Sequence, residues 1–188
     1  MIRLVFVLTT ICAVSSALLA VVYNQTKEPI ALALEQRTKL AAAQVMPAGF
    51  PEPEKIVVGG ETFFVCRQNG EIVSVAVEGV SKNGYSGDIV LMVGMSTEGE
   101  GYLVDYEVVK AAETPGLGTK IANDAFKRPL LRKALGGSWK VKKDGGEVDA
   151  VTAATISSRA ALECIQDAIA KHKANAEALR HENPDAPE

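Results

Sequence analysis

The residues able to do chemistry gather in three short phrases. The richest is DAVTAATISS at 149–158, where Asp149 precedes four hydroxyls, Thr152, Thr155, Ser157 and Ser158, set around Ala153 and Ala154. The phrase opens an apolar pattern of helical period, so its hydroxyls add donors to the unpaired N–H groups of a first helical turn. A helix start favours an anion, a phosphate in particular, because those N–H groups and the helix dipole act together. The two alanines let a ligand approach the backbone closely. Ordinary capping by threonine and serine accounts for the same residues without any ligand. The second phrase, ETPGLGTK at 113–120, is a loop in which Pro115, Gly116 and Gly118 set the turn beside Glu113, Thr114, Leu117 and Lys120. The third is GYSGDI at 84–89, which contains Tyr85. No G-x-G-x-x-G opens a helix after a first strand, and no G-x-x-x-x-G-K-[ST] is present, so dinucleotide and nucleotide-phosphate fingerprints are absent. Cys12, Cys66 and Cys164 with His172 and His181 show no metal-ligand spacing, and no metal site is expected.

These phrases need a scaffold, and composition limits what it can be. A net charge of -3 provides no electrostatic footprint for nucleic acid, which is excluded as a partner. Aromatic residues are only 5%, so a flat ligand must rest largely on aliphatic side chains and backbone. Leu4 to Tyr23 carries no charged side chain and is long enough to cross a bilayer core of about 30 Å as a helix. It is longer than the apolar region of a cleaved signal, so residues 1–24 read as a transmembrane anchor with Cys12 an apolar helix residue. Lys27, Arg37 and Lys39 outweigh Arg3, while the short amino-terminal tail argues for the opposite orientation; charge alone leaves the side open.

Residues 25–55 read as a helix to Gln44 followed by a linker stopped by Pro47, Pro51 and Pro53. The main domain is expected over 56–174. Strands are expected at 62–67 and 72–78 about an Asn69-Gly70 turn, and at 89–95 and 102–109 about Gly99-Glu100-Gly101. Residues 122–135 read as helix with a break at Pro129, Asp144-Gly145-Gly146 after Trp139–Lys142 as a turn leading through a short strand into the 149–158 phrase, and Thr155 to about Ala174 as an amphipathic helix. The fold class is therefore α+β: a mostly antiparallel sheet with packed helices, preceded by one amino-terminal transmembrane helix. Cys66 and Cys164 sit in apolar patterns and are expected as buried thiols, a bridge between them being the alternative in an extracytoplasmic domain. Residues 175–188 read as a frayed polar tail.

Taken together and in order, the amino-terminal membrane helix, Gly84-Tyr85-Ser86-Gly87-Asp88-Ile89, Glu113-Thr114-Pro115-Gly116-Leu117-Gly118, and Asp149 followed by Thr152-Ala153-Ala154-Thr155 carry a resemblance. The chain resembles the FMN-binding domain family of the G subunit of the Rnf ion-translocating electron transport complex. It is similar, more distantly, to the C subunit of the sodium-pumping NADH:quinone reductase. The resemblance implies FMN joined through its phosphate to Thr155, by a flavin transferase that reads Asp149 and the residues following it. Family members commonly have glycine where this chain has Ala153, so the added methyl is expected to tighten the loop. From the matching phrases, the resemblance implies flavin contacts at Glu113, Thr114, Gly116, Leu117 and Gly118, and at Thr152, Ala153, Ala154 and Ser157, with Tyr85 and Lys120 near the ring or phosphate. It further implies integral-membrane and iron-sulfur partner subunits, and an FMN domain over 56–174 facing the periplasm or outside from the cytoplasmic (inner) membrane of a bacterium or archaeon. No catalytic residue is required, because the cofactor performs the redox step. A free-standing membrane FMN-dependent reductase and a non-redox anchored binding module are the competing readings.

Overall fold

The computed structural model describes residues 2–47, 49 and 52–181. The chain divides into two compact units, Met1–Arg37 and Thr38–Glu188. Helix α1 (Ile2–Gln44) begins in the first unit, where its side chains from Ile2 to Arg37 are exposed. It is the one described helix long and apolar enough to cross a membrane. Exposed leucine, valine and phenylalanine at this density suit hydrocarbon as solvent, since all backbone bonds of a helix are satisfied within itself. The anchor and the helix expected after it are one element, with Pro29 inside. A proline there removes a single N–H donor, and the turns on either side keep theirs.

The second unit is built on five antiparallel strands in the order β1 (Glu54–Val58), β2 (Glu61–Gln68), β3 (Glu71–Gly84), β4 (Gly87–Ser96) and β5 (Tyr102–Lys110). Each strand pairs with its sequence neighbour. Asn69 and Gly70, at φ 54° and 86°, form the tight β2–β3 turn that their types foretell. The GYSGDI phrase becomes the β3–β4 hairpin tip, with Gly84 paired to Gly87 and Tyr85-Ser86 between them. Strand β1 falls partly within the stretch expected as linker: Lys55-Ile56-Val57-Val58 follows the prolines closely, and only the sheet edge formed by β2 reveals it.

Each sheet face receives one helix. On one side α3 (Thr155–Ala174) packs Ala160, Ala161, Cys164, Ile165 and Ala168 into the main core with Phe63, Val77, Ile89 and Leu91. On the other, Ala41, Ala42, Val45 and Met46 from the end of α1 meet Phe64, Cys66, Ala76 and Met92. Two glycines allow these approaches: a Cβ on Gly79 would lie 1.9 Å from the Cys164 carbonyl oxygen, and one on Gly94 would lie 2.2 Å from that of Val45. Cys66 and Cys164 thus occupy opposite layers as buried cysteines with no disulfide between them, and burial pushes the Cys164 thiol up to about 12.

Three expectations differ from the structure. Residues 122–135 hold only the single-turn helix α2 (Asp124–Lys127) between 3-10 turns at Gly118–Ala122 and Arg128–Leu130, because Asn123 and Pro129 interrupt the period at both ends. The short strand expected after the Asp144-Gly145-Gly146 turn is no more than one isolated parallel bridge, Val141 to Val148. The tail begins with a short helix, α4 (Ala176–His181), pinned by buried Leu179, while residues 182–188 lie outside the described residues.

Replacing Gly79 by alanine is expected to force α3 off the sheet and destabilise the protein by about 2 kcal/mol. A thermal melt of the detergent-solubilised chain measures this, and an unchanged midpoint would contradict the close packing of α3.

Candidate flavin site

Glu113 follows β5 in sequence and is only 6% exposed. Its Oε2 accepts a hydrogen bond from the Ser157 hydroxyl at 2.7 Å, and its Oε1 accepts one from the Ser86 backbone N–H at 3.4 Å. A Cβ on Gly118 would lie 2.3 Å from Oε2, and one on Gly84 would lie 2.8 Å from Oε1. One carboxylate therefore binds all three sequence phrases, and two glycines leave the room it occupies. A buried carboxylate must be compensated by donors, and the amino end of α3 adds a favourable dipole to the two hydrogen bonds. This uses the Ser157 hydroxyl internally.

The loop carrying Thr114–Lys120 is closed by its own bonds. Leu117 N–H and Thr119 N–H both donate to the Thr114 carbonyl, at 3.2 and 3.4 Å, and Gly116 N–H donates to Thr119 Oγ1 at 3.0 Å. Gly116 has φ 74°, where glycine costs nothing. Leu117 is held outward and is 40% exposed. Lys120 is exposed on the same loop.

At the start of α3, the Ser158 hydroxyl caps the turn by accepting from Val151 N–H at 2.9 Å and donating to the Ala154 carbonyl at 3.0 Å. Thr155 is the first helical residue, half-buried, with its Oγ1 3.5 Å from the Lys143 ammonium. Thr152 and Ala153 lie on the exposed approach, and Ala153 sits at φ 62°. That left-handed conformation is one that glycine adopts freely and that costs alanine strain.

The residues present fit FMN. The Thr155 hydroxyl is accessible at a helix start, where first-turn N–H groups point outward and suit a phosphate. Tyr85, Leu117 and Ile156, 68%, 40% and 44% exposed, each stand beside a residue gathered at Glu113, and offer apolar surface for a ring. Ile156 was not legible as a site residue, because at helical spacing it reads as core. Lys143 was missed because a lysine in a Lys-Lys-Asp-Gly-Gly turn reads as solvated surface.

A model of the FMN-binding domain matches residues 84–170, a span that starts at the hairpin tip and ends in α3. The G subunit of the ion-translocating oxidoreductase complex of Pseudoalteromonas atlantica is 30% identical over 192 residues, covering 92% of this chain and 88% of its own. This chain belongs to that G-subunit family. The Shewanella baltica G subunit is also 30% identical, over 90% and 88% of the two chains, and that of Vibrio vulnificus is 36% identical over 56% and 52%. Among solved structures, the C subunit of the Na(+)-translocating NADH-quinone reductase from Parabacteroides distasonis has a TM-score of 0.55 at 16% identity, covering 78% of this G-subunit chain and 92% of its own. Shewanella oneidensis NqrC has a TM-score of 0.50 at 20% identity, over 64% and 61%. These two share the fold: an antiparallel sheet with packed helices.

Two substitutions test the local energetics of this G-subunit site. Ser157→Ala leaves a buried carboxylate oxygen without its donor and is expected to cost about 2 kcal/mol in a denaturant titration. Ala153→Gly relieves the left-handed strain and is expected to raise stability by about 1 kcal/mol, seen as a higher melting midpoint.

Proposed function

We propose that this chain is the membrane-anchored flavoprotein subunit of an Rnf-type ion-translocating oxidoreductase, carrying FMN covalently on Thr155 and relaying electrons between partner subunits. The observation that supports it most is the union of three family phrases on one carboxylate, with the Thr155 hydroxyl at the helix start beside them. FMN supplies the one- and two-electron redox chemistry when bound. The protein's own residues hold and orient it. Thr155 Oγ1 would gain a bond to the flavin phosphorus as the phosphoanhydride bond of an activated flavin donor breaks, the displaced phosphate group leaving with the threonine proton, so the chain gains the mass of FMN less one water. The diester keeps a single negative charge, which the first-turn N–H groups of α3 stabilise.

In this reading Glu113, Thr114, Gly116, Leu117 and Gly118 shape the ring side of the site, and Thr152, Ala153, Ala154 and Ser157 the phosphate side, with Tyr85 and Lys120 at the margins. Asp149 is exposed, as a residue read by a flavin transferase must be. The domain, spanning about 56–174, faces the periplasm or outer side, and its partners are integral-membrane and iron-sulfur subunits of the same complex. Covalent attachment makes sense there, because a cofactor outside the cytoplasm has no pool from which to be replaced.

Co-expressed with a flavin transferase, the wild-type chain is expected to fluoresce on a denaturing gel and to show the adduct in its intact mass. Thr155→Val is expected to lose both. Flavin retained covalently by that variant would overturn the assignment.

A further inference from the structure

We propose that Lys143 is the positioning residue for the phosphoryl group on Thr155, its ammonium pairing with the one negative charge that esterification leaves there. This rests on the covalent reading above and adds to it a residue in none of the three phrases. The Lys143 ammonium lies 3.5 Å from Thr155 Oγ1. A phosphorus bonded to that oxygen would bring its non-bridging oxygens within reach of the ammonium.

The cations around it are already engaged. Arg159 forks onto Asp144 at 2.6 and 2.7 Å, and Lys142 pairs with Asp149 at 2.7 Å. Lys143 makes no ion pair among the described residues. Its position is also built. The 3-10 turn Lys142–Asp144 is closed by Gly145 at φ 78° and tied to the following strand-like segment by Lys142 N–H to the Val148 carbonyl at 2.8 Å. The Asp144–Arg159 fork then fastens the turn to the first turns of α3, the helix that begins at Thr155. The Arg159 hydrogen bond holds the Asp144 carboxyl below the usual range, so that fastening persists into mild acid. Lys142 and Lys143 thus divide the motif between them, one holding its first acid and the other facing its last hydroxyl.

The test uses the full chain in detergent, with and without FMN on Thr155. Attachment raises the melting midpoint of the wild type, and with Lys143→Gln this rise is expected to be about 2 °C smaller. Lys143→Arg restores it, about 1 M salt removes the difference, and the exposed-lysine control Lys140→Gln leaves it unchanged. The ³¹P resonance of the diester is expected to move with Lys143→Gln and not with the control, which a purely structural lysine would not produce. If the variant carries FMN on Thr155 with the same rise and the same ³¹P shift as wild type, Lys143 has no such role and the Thr155 reading stands. If the wild type carries no FMN on Thr155, both fall together.

Discussion

The architecture of the site turns on a carboxylate withdrawn from water. Glu113 is buried where a hairpin tip, a loop and a helix start converge, and its two oxygens take one donor from the tip and one from the helix. A buried carboxyl group is tolerated only while its hydrogen-bond partners are in position, so the three segments are mutually dependent. The same residue explains the composition of its surroundings. Gly84 and Gly118 are small because any side chain would collide with Glu113, and Ser157 faces inward because Glu113 needs its hydroxyl. What remains on the outside, Tyr85, Leu117, Thr155 and Ile156, is carried by chain neighbours that Glu113 helps to fix.

The sheet and its helices supply the rigidity behind that arrangement. Gly79 and Gly94 let backbone meet backbone on opposite faces, so α3 and the end of α1 pack closer than side chains alone would permit. Interiors packed to this density resist small displacements. Thr155 stands at the tip of a helix anchored from Ala160 to Ile169 in the main core.

Much of this was legible in the sequence, and the rest was not for definite reasons. Strands β2 to β5 announce themselves through apolar runs and through Asn69-Gly70 and Gly99-Glu100-Gly101, whose backbone angles few other residues accept. Helix α3 follows from its period. The segment 122–135 misleads because its apolar residues Phe126, Leu130 and Leu135 fit a helical pattern, although they reach the core from consecutive turns. The importance of Glu113 to Ser157, 44 residues away, is a relation between elements and leaves no trace in local spacing. Family resemblance marked both residues without distinguishing the one that builds the site from those that line it. Lys143 has no mark at all, since its significance comes from the turn that carries it and from the Arg159 fork beneath.

The order of the strands has a consequence for the life of the protein. Because β1 to β5 pair strictly with their neighbours in sequence, the sheet can assemble progressively from the amino end, with short loops to close and little waiting for distant partners. Helix α3 follows all five strands, and it covers a sheet face whose strands precede it in the chain. The junction at Glu113 is therefore complete only after residues near 157 have docked. In the proposed reading, a flavin transferase meets a finished platform rather than an emerging chain, and attachment of the cofactor records that folding is complete.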